Sequence, residues 1–157
     1  MSFFTVSFFG HRELEDLRQV EALLLPLLRK LIKEKEFVTF LIGRNGGFDE
    51  YTASLIKGVR RQLDENNSEL VLVLPYKVAN LEYYEDYYDS IILPASLHGV
   101  HPKSAITLKN RWMIDHSDLV VVFVERHKGG AYAAMQYAKK KNKSVINLAQ
   151  KGGDEEP

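Results

Sequence analysis

Short apolar runs alternate with apolar stripes of helical period from one end of the chain to the other. FFTVSFFG at 3–10 is aromatic and β-branched and is stopped by glycine, which predicts a buried strand. Leu14, Leu17, Val20, Leu24, Leu27, Leu28 and Leu31 then recur at three- and four-residue steps, the stripe of one helix. Pro26 falls inside that stripe and is expected to kink or divide it. FVTFLIG at 37–43 predicts a second strand, followed by a helix from Asp49 to Asn66 with Ala53, Ile56, Val59 and Leu63 inward. ELVLVLP at 69–75 predicts a third strand, YYEDYYD a turn or two of helix, SIILP at 90–94 a short strand, and SLHGVHPK a loop. A helix over 103–116 is expected to bury Ala105, Leu108 and Trp112. DLVVVFVE at 118–125 is the most continuous strand, GGAYAAMQYAKKKNK a glycine-led helix, and SVINLA at 144–149 the last strand.

Strands apolar on both faces and separated by helices imply a parallel sheet covered on both sides. The predicted fold is α/β, a single-domain, Rossmann-like, doubly wound sheet over 1–150. Strand 3–10 is expected at its centre, with strand 37–43 on one side and strand 118–125 on the other. KGGDEEP at 151–157 reads as a flexible acidic tail.

Lys plus Arg equals Asp plus Glu at 21 each, so no net charge draws the protein to nucleic acid or to an anionic membrane. The chain has no cysteine, which excludes disulfides and thiolate chemistry. No apolar run approaches the roughly 18 residues of a membrane span, and MSFFTVSFFGHR lacks the basic start of a signal peptide. The expected setting is cytoplasmic.

In such a sheet, ligands bind beyond the carboxyl ends of the strands where the strand order reverses. Three loops are expected to meet there: Gly10-His11-Arg12, the segment from Gly43 through Arg44, Asn45, Gly46 and Gly47 to Asp49 and Glu50, and the segment from Glu125 to Gly130 and Ala131. Two of them carry glycines and open helices, which presents backbone N–H groups to an anion. The third carries an Arg suited to a phosphate. The spacing fits neither a Walker loop nor a dinucleotide fingerprint, since position 48 is Phe and position 45 is Asn. Each glycine taken singly is equally explained by turn geometry.

This set of residues resembles the SLOG superfamily, which includes DprA and the Lonely guy enzymes, and is most similar to its YpsA-like bacterial branch. The resemblance rests on Gly10-His11-Arg12; on Gly43, Gly47 and Asp49; on Asn110-Arg111-Trp112-Met113 with Ser117-Asp118; and on Gly129-Gly130 with Tyr137-Ala138. It implies a nucleotide or nucleotide-derived small molecule as ligand, such as an ADP-ribose derivative, with Asp49 hydrogen-bonding a ribose hydroxyl. Lonely guy enzymes need a Thr and two Glu where this chain has Ala131, Ala133 and Ala134, and an Arg where it has Lys109. Glycosidic cleavage needs a carboxylate, so the reading is a sensor or regulatory module rather than an enzyme. Asp49 and Glu50 are the only catalytic candidates, for an N-glycosidase alternative, and Glu50 also suits a first helical turn electrostatically.

His11 and Arg12 are read as ligand contacts. Arg111 and Asn110 reach either the pocket or solvent, and Trp112 reads as core. Tyr83, Tyr84, Tyr87 and Tyr88 form a stripe that packs under a loop or, alternatively, sandwiches a nucleobase. His98 and His101 lack a third ligand, so neither a metal nor a cofactor is expected. Lys139, Lys140, Lys141 and Lys143 end a helix, where cations complement its dipole. A homodimer through helices flanking the pocket is compatible with the fold. Nucleic acid is not the expected partner, and DprA-like binding of single-stranded DNA stands as the second alternative.

Overall fold

The computed structural model describes residues 2–149. The predicted acidic tail lies outside them. Six strands, β1 (Phe3–Gly10), β2 (Phe37–Ile42), β3 (Ser68–Val73), β4 (Ser90–Ile92), β5 (Leu119–Phe123) and β6 (Ser144–Asn147), pair in parallel in the order β4-β3-β2-β1-β5-β6. Five helices connect or flank them: α1 (Leu17–Glu34), α2 (Gly47–Leu63), α3 (Leu81–Tyr87), α4 (Pro102–Asp115) and α5 (Gly130–Lys140). As expected, β1 is central, between β2 and β5.

Side chains alternate across a strand, and here both faces are apolar. Val6 and Phe8 of β1 pack with Val38, Phe40 and Phe123 against Val20, Leu24 and Leu28 of α1 and Ile56 of α2. Phe9 joins Leu41, Val71, Val120 and Val122 on the other face, under Met113 and Ile114 of α4 and Ala134 and Ala138 of α5. Small residues on α5 let it lie close to the sheet. Among the described residues no helix is long and apolar enough to cross a membrane.

Pro26 does not divide α1, which runs through as one element capped by Asp16, whose carboxylate accepts the Gln19 N–H at 3.2 Å. Both Pro26 and Ala22, whose carbonyl loses its partner, are exposed, so water can satisfy the orphan. Stripe residues Leu24 and Leu28 stay buried on either side of it. The expected stripe of α4 is corrected more deeply. Leu108 is 37% exposed, while Trp112 is half-buried against the second core and stacks on His116 with centroids 4.1 Å apart. The helix turns Lys109, Asn110, Met113 and Ile114 inward instead, beside the expected Ala105.

The Ser117-Asp118 pair fastens the entry to β5. Asp118 Oδ2 accepts the Thr5 N–H and the Asp118 N–H donates to Thr5 O, both at 2.8 Å. Ser117 and the buried Ser7 bond each other, and Ser117 donates to the Met113 carbonyl at 2.7 Å, pinning α4 to β1. His101 accepts the Lys103 N–H at 3.1 Å and caps α4.

Candidate functional site

Two turns at the carboxyl end of the sheet are locked together. A Cβ on Gly10 would lie 2.1 Å from the Phe48 ring, and one on Gly46 would lie 2.5 Å from the Arg12 Cα. The Gly47 N–H donates to Arg12 O at 2.7 Å, the Asn45 N–H to Asp49 Oδ2 at 2.9 Å, and the Glu50 N–H to Gly46 O at 3.2 Å. Its glycines permit close packing, and three of the N–H groups expected to face an anion, those of Asn45, Gly47 and Glu50, are engaged within the protein.

Further free donors stand at the start of α5. Gly129 adopts φ 95°, a left-handed conformation suited to glycine, and leads the helix without a side-chain cap. The first helical bond is made by the Ala133 N–H to Gly129 O, which leaves the N–H groups before it for a ligand.

In front of this helix end lies a recess of about 420 Å³. Gly10, His11 and Arg12 form one wall, Asn45 and Asp49 a second, and Gly129, Gly130 and Ala131 a third. All three predicted loops thus contribute. Gly43, Arg44, Gly46, Gly47 and Glu50 do not line it, nor does Arg111, which is exposed and sits over the Tyr137 ring at 5.1 Å. Phe9 and Ile106 line it unpredicted, and Arg126 and Lys128 lie within the predicted 125–130 segment without having been singled out. The basic pair had a signal, two cations within three residues of a glycine-led helix after the most apolar strand. Asn110, left between pocket and solvent by the sequence, faces the recess and is 8% exposed.

His11 is a wall rather than a free donor. Its Nε2 accepts the Glu125 N–H at 2.9 Å, which ties the end of β1 to the loop after β5. Burial, aided by the Arg126 charge, lowers its pKa, Glu125 opposing; the ring is neutral with its proton on Nδ1.

Behind the recess, Lys109 is 1% exposed, and its ammonium occupies the space a Cβ on Gly43 would take, 2.6 Å from that position. Burial pulls its pKa down to about 8, Asp49 opposing. Burial likewise raises the Asp49 pKa, while the Asn45 N–H and Lys109 favour the anion. A lysine whose folded pKa is lowered from 10.5 to about 8 binds fewer protons than in the unfolded chain between those values. Stability from this group therefore rises across that window as pH increases. Relative to Lys109→Met, the wild type is expected to gain on the order of 3 kcal/mol between pH 8 and 10.5 in denaturant titrations. Parallel pH curves for the two proteins would contradict that assignment.

A second cleft, of about 290 Å³, is lined by Arg44, Glu50, Tyr83, Tyr84, Tyr87 and Tyr88. The Arg44 guanidinium lies 4.5 Å from the Tyr84 ring centroid, a cation–π contact. Tyr88 is buried, while Tyr83 is 67% exposed and edge-on to Tyr84 at 5.1 Å. The tyrosine stripe thus packs at one end and opens at the other. A third cleft, of about 420 Å³, lies at the amino end of β3 among Lys57, Arg60 and Arg61. There Arg60 is neutralised by Asp89 at 2.7 Å, and Asp64 and Glu65 share the wall, which suits an anion poorly.

No family model and no curated protein matches the sequence. Among solved structures, the chain is similar to DNA processing protein A (DprA) from Streptococcus pneumoniae, with a TM-score of 0.64 and 17% identity. That match covers 91% of this chain and 49% of the other, so the chain spans about half its length. It is also similar to DprA from Helicobacter pylori, whose structure concerns its single-stranded DNA binding mode, with a TM-score of 0.64 and 17% identity over 96% of this chain and 67% of that one. The likeness shows the fold, a Rossmann-like one in keeping with the SLOG resemblance. It overturns the expectation of a free nucleotide or nucleotide derivative as the ligand and of nucleic acid as an improbable one. Both of these similar proteins are DNA processing proteins.

Proposed function

We propose that this domain binds single-stranded DNA, holding phosphates at the recess and bases at the tyrosine cleft. One observation carries the reading: residues of one segment line both sites. Asn45 and Asp49 line the recess, while Arg44 and Glu50, their neighbours in the chain, line the cleft. A single strand requires this combination, cations and N–H donors for its backbone next to aromatic faces for its unstacked bases. The zero net charge misleads because it averages over the surface; Arg12, Arg126 and Lys128 gather at one helix end.

The reading is one of binding rather than cleavage, since Ala131, Ala133 and Ala134 stand where a Lonely guy enzyme needs its Thr and Glu residues. The finer placement near the YpsA-like branch rests on Gly10-His11-Arg12, on Asn110 to Met113 and on Gly129-Gly130. A cytoplasmic setting accords with it.

Fluorescence anisotropy with a labelled oligothymidine tests the proposal. Binding is expected at low salt, to weaken steeply between about 50 and 200 mM, and to be competed by single strands but not by duplex. Tyr83→Ala is expected to weaken it about tenfold. Because Tyr83 is 67% exposed, the melting temperature should hold. Equal affinity for duplex, or no binding at low salt, would overturn the reading.

A further inference from the structure

We infer that the bound strand runs on past the recess to a second aromatic platform, the His127–Tyr132 pair, an inference that rests on the single-strand reading above. A further cleft, of about 310 Å³, opens at the carboxyl ends of β5 and β6. Val124 and Asn147 line it from the sheet, and Tyr132 and Met135 from α5. The loop after β5 serves this cleft and the recess by turns: Arg126 and Lys128 line the recess, whereas Glu125 and His127 line the cleft. Consecutive Cα atoms are about 3.8 Å apart, so a nucleotide whose phosphate meets Arg126 or Lys128 has its neighbour within reach of His127.

The two rings form a built surface. Their centroids lie 5.3 Å apart with a tilt of 31°, inside the range of aromatic pairs. Tyr132 is half-buried against the second core, while His127 is exposed and leaves a face to solvent. The floor is fixed as well, because Asn147 Oδ1 accepts the Val124 N–H and Asn147 Nδ2 donates to the Val124 carbonyl, both at 3.0 Å. Glu125 and Lys139 bring opposite charges to the walls, so the cleft has no net charge with which to draw a phosphate. What it offers a nucleotide is ring and apolar surface, which suits a base of any identity. The three sites then follow the sheet in order. Arg44 after β2 lines the tyrosine cleft, the recess lies between the ends of β1 and β5, and the His127 cleft lies at β6. From β2 to β6 is three inter-strand steps, about 14 Å, a length that a few extended nucleotides cover.

The test uses the full chain and fluorescence anisotropy with labelled oligothymidines of rising length, from about 4 to 16 nucleotides, the span of common single-strand sites. Wild-type affinity is expected to climb with length until the strand reaches His127, and then to level off. His127→Ala should weaken the longest strands about five- to a hundredfold, spare the shortest, and bring the plateau to a shorter strand. His127→Phe, which keeps a stacking face, should restore the wild-type plateau, and Tyr132→Leu should repeat the loss. Because His127 is exposed, its variants should melt as the wild type does. An unchanged plateau in His127→Ala would overturn the platform and leave the single-strand proposal standing. Equal loss at every length would overturn it too, since the substitution would then act through the loop on Arg126 and Lys128. So would a loss in His127→Phe as large as in His127→Ala. Absence of wild-type binding at every length would remove both proposals.

Discussion

Replacing Arg12, Arg126 and Lys128 together by alanine is expected to lower single-strand affinity on the order of a hundredfold or more. All three are exposed, line the recess, and form no ion pair with a described residue. Each is free to meet a phosphate, and hydrogen bonds to charged groups are worth about 1.5–3 kcal/mol. The salt slope should fall as well, by about 0.7 per lost phosphate contact, roughly two in all. Stability should hold within a few tenths of a kcal/mol per site, since nothing inside the fold depends on these groups. The matched control is Lys139→Ala, Lys140→Ala and Lys141→Ala at the far end of α5, which removes the same charge. If the two triple variants lose affinity equally, binding follows net charge and the recess has no special part in it.

Gly10→Ala is expected to destabilise the protein by about 3 kcal/mol, at the upper end of overpacking costs. The added methyl would lie 2.1, 2.5 and 2.6 Å from atoms of Phe48, a fully buried ring stacked on Phe123 with centroids 6.3 Å apart. The ring cannot retreat, so the turn after β1 or the start of α2 must shift. At about 2–4 °C per kcal/mol for a domain of this size, melting should fall roughly 6–12 °C. Phe48→Ala alone should cost about 3–5 kcal/mol. Combining the two should cost less than their sum by about 1–3 kcal/mol, because the clash vanishes with the ring. Strict additivity would mean that Gly10 is not there to admit Phe48. Gly58→Ala supplies the contrast: nothing lies within 4 Å of its Cβ position inside α2. Helix propensity there should raise stability by about 1 kcal/mol.

The sheet was legible because its strands are apolar on both faces, a pattern short enough and bounded well enough to exclude helix. Val6 and Phe8 on one face and Phe9 on the other carry that signal, although Thr5 and Ser7 interrupt it. The three-residue β4 was harder to place. Its position beside β3 depends on Asp89, which accepts the Leu70 N–H at 2.7 Å and pairs with Arg60. The site was legible in outline and misread in detail. Topology foretold that the turns after β1, β2 and β5 converge, yet no spacing rule distinguishes a glycine that frees an N–H from one that admits Phe48 or the Arg12 backbone. The α4 stripe misled for a related reason. Helical periodicity favours Leu108, whereas the fold turns Lys109 and Asn110 inward, where an ammonium beside Asp49 and an amide facing the recess have uses that hydrophobicity does not register.

Chemical-shift mapping of a single-stranded oligothymidine on the nitrogen-labelled protein tests the central claim most directly. The account predicts that the largest amide shifts fall at Gly10 to Arg12, Asn45, Arg126 to Ala131, and Tyr83 and Tyr84, with the Lys57, Arg60 and Arg61 cleft at the other end of the sheet unmoved. Shifts concentrated at that opposite cleft, or none at saturating DNA, would contradict it.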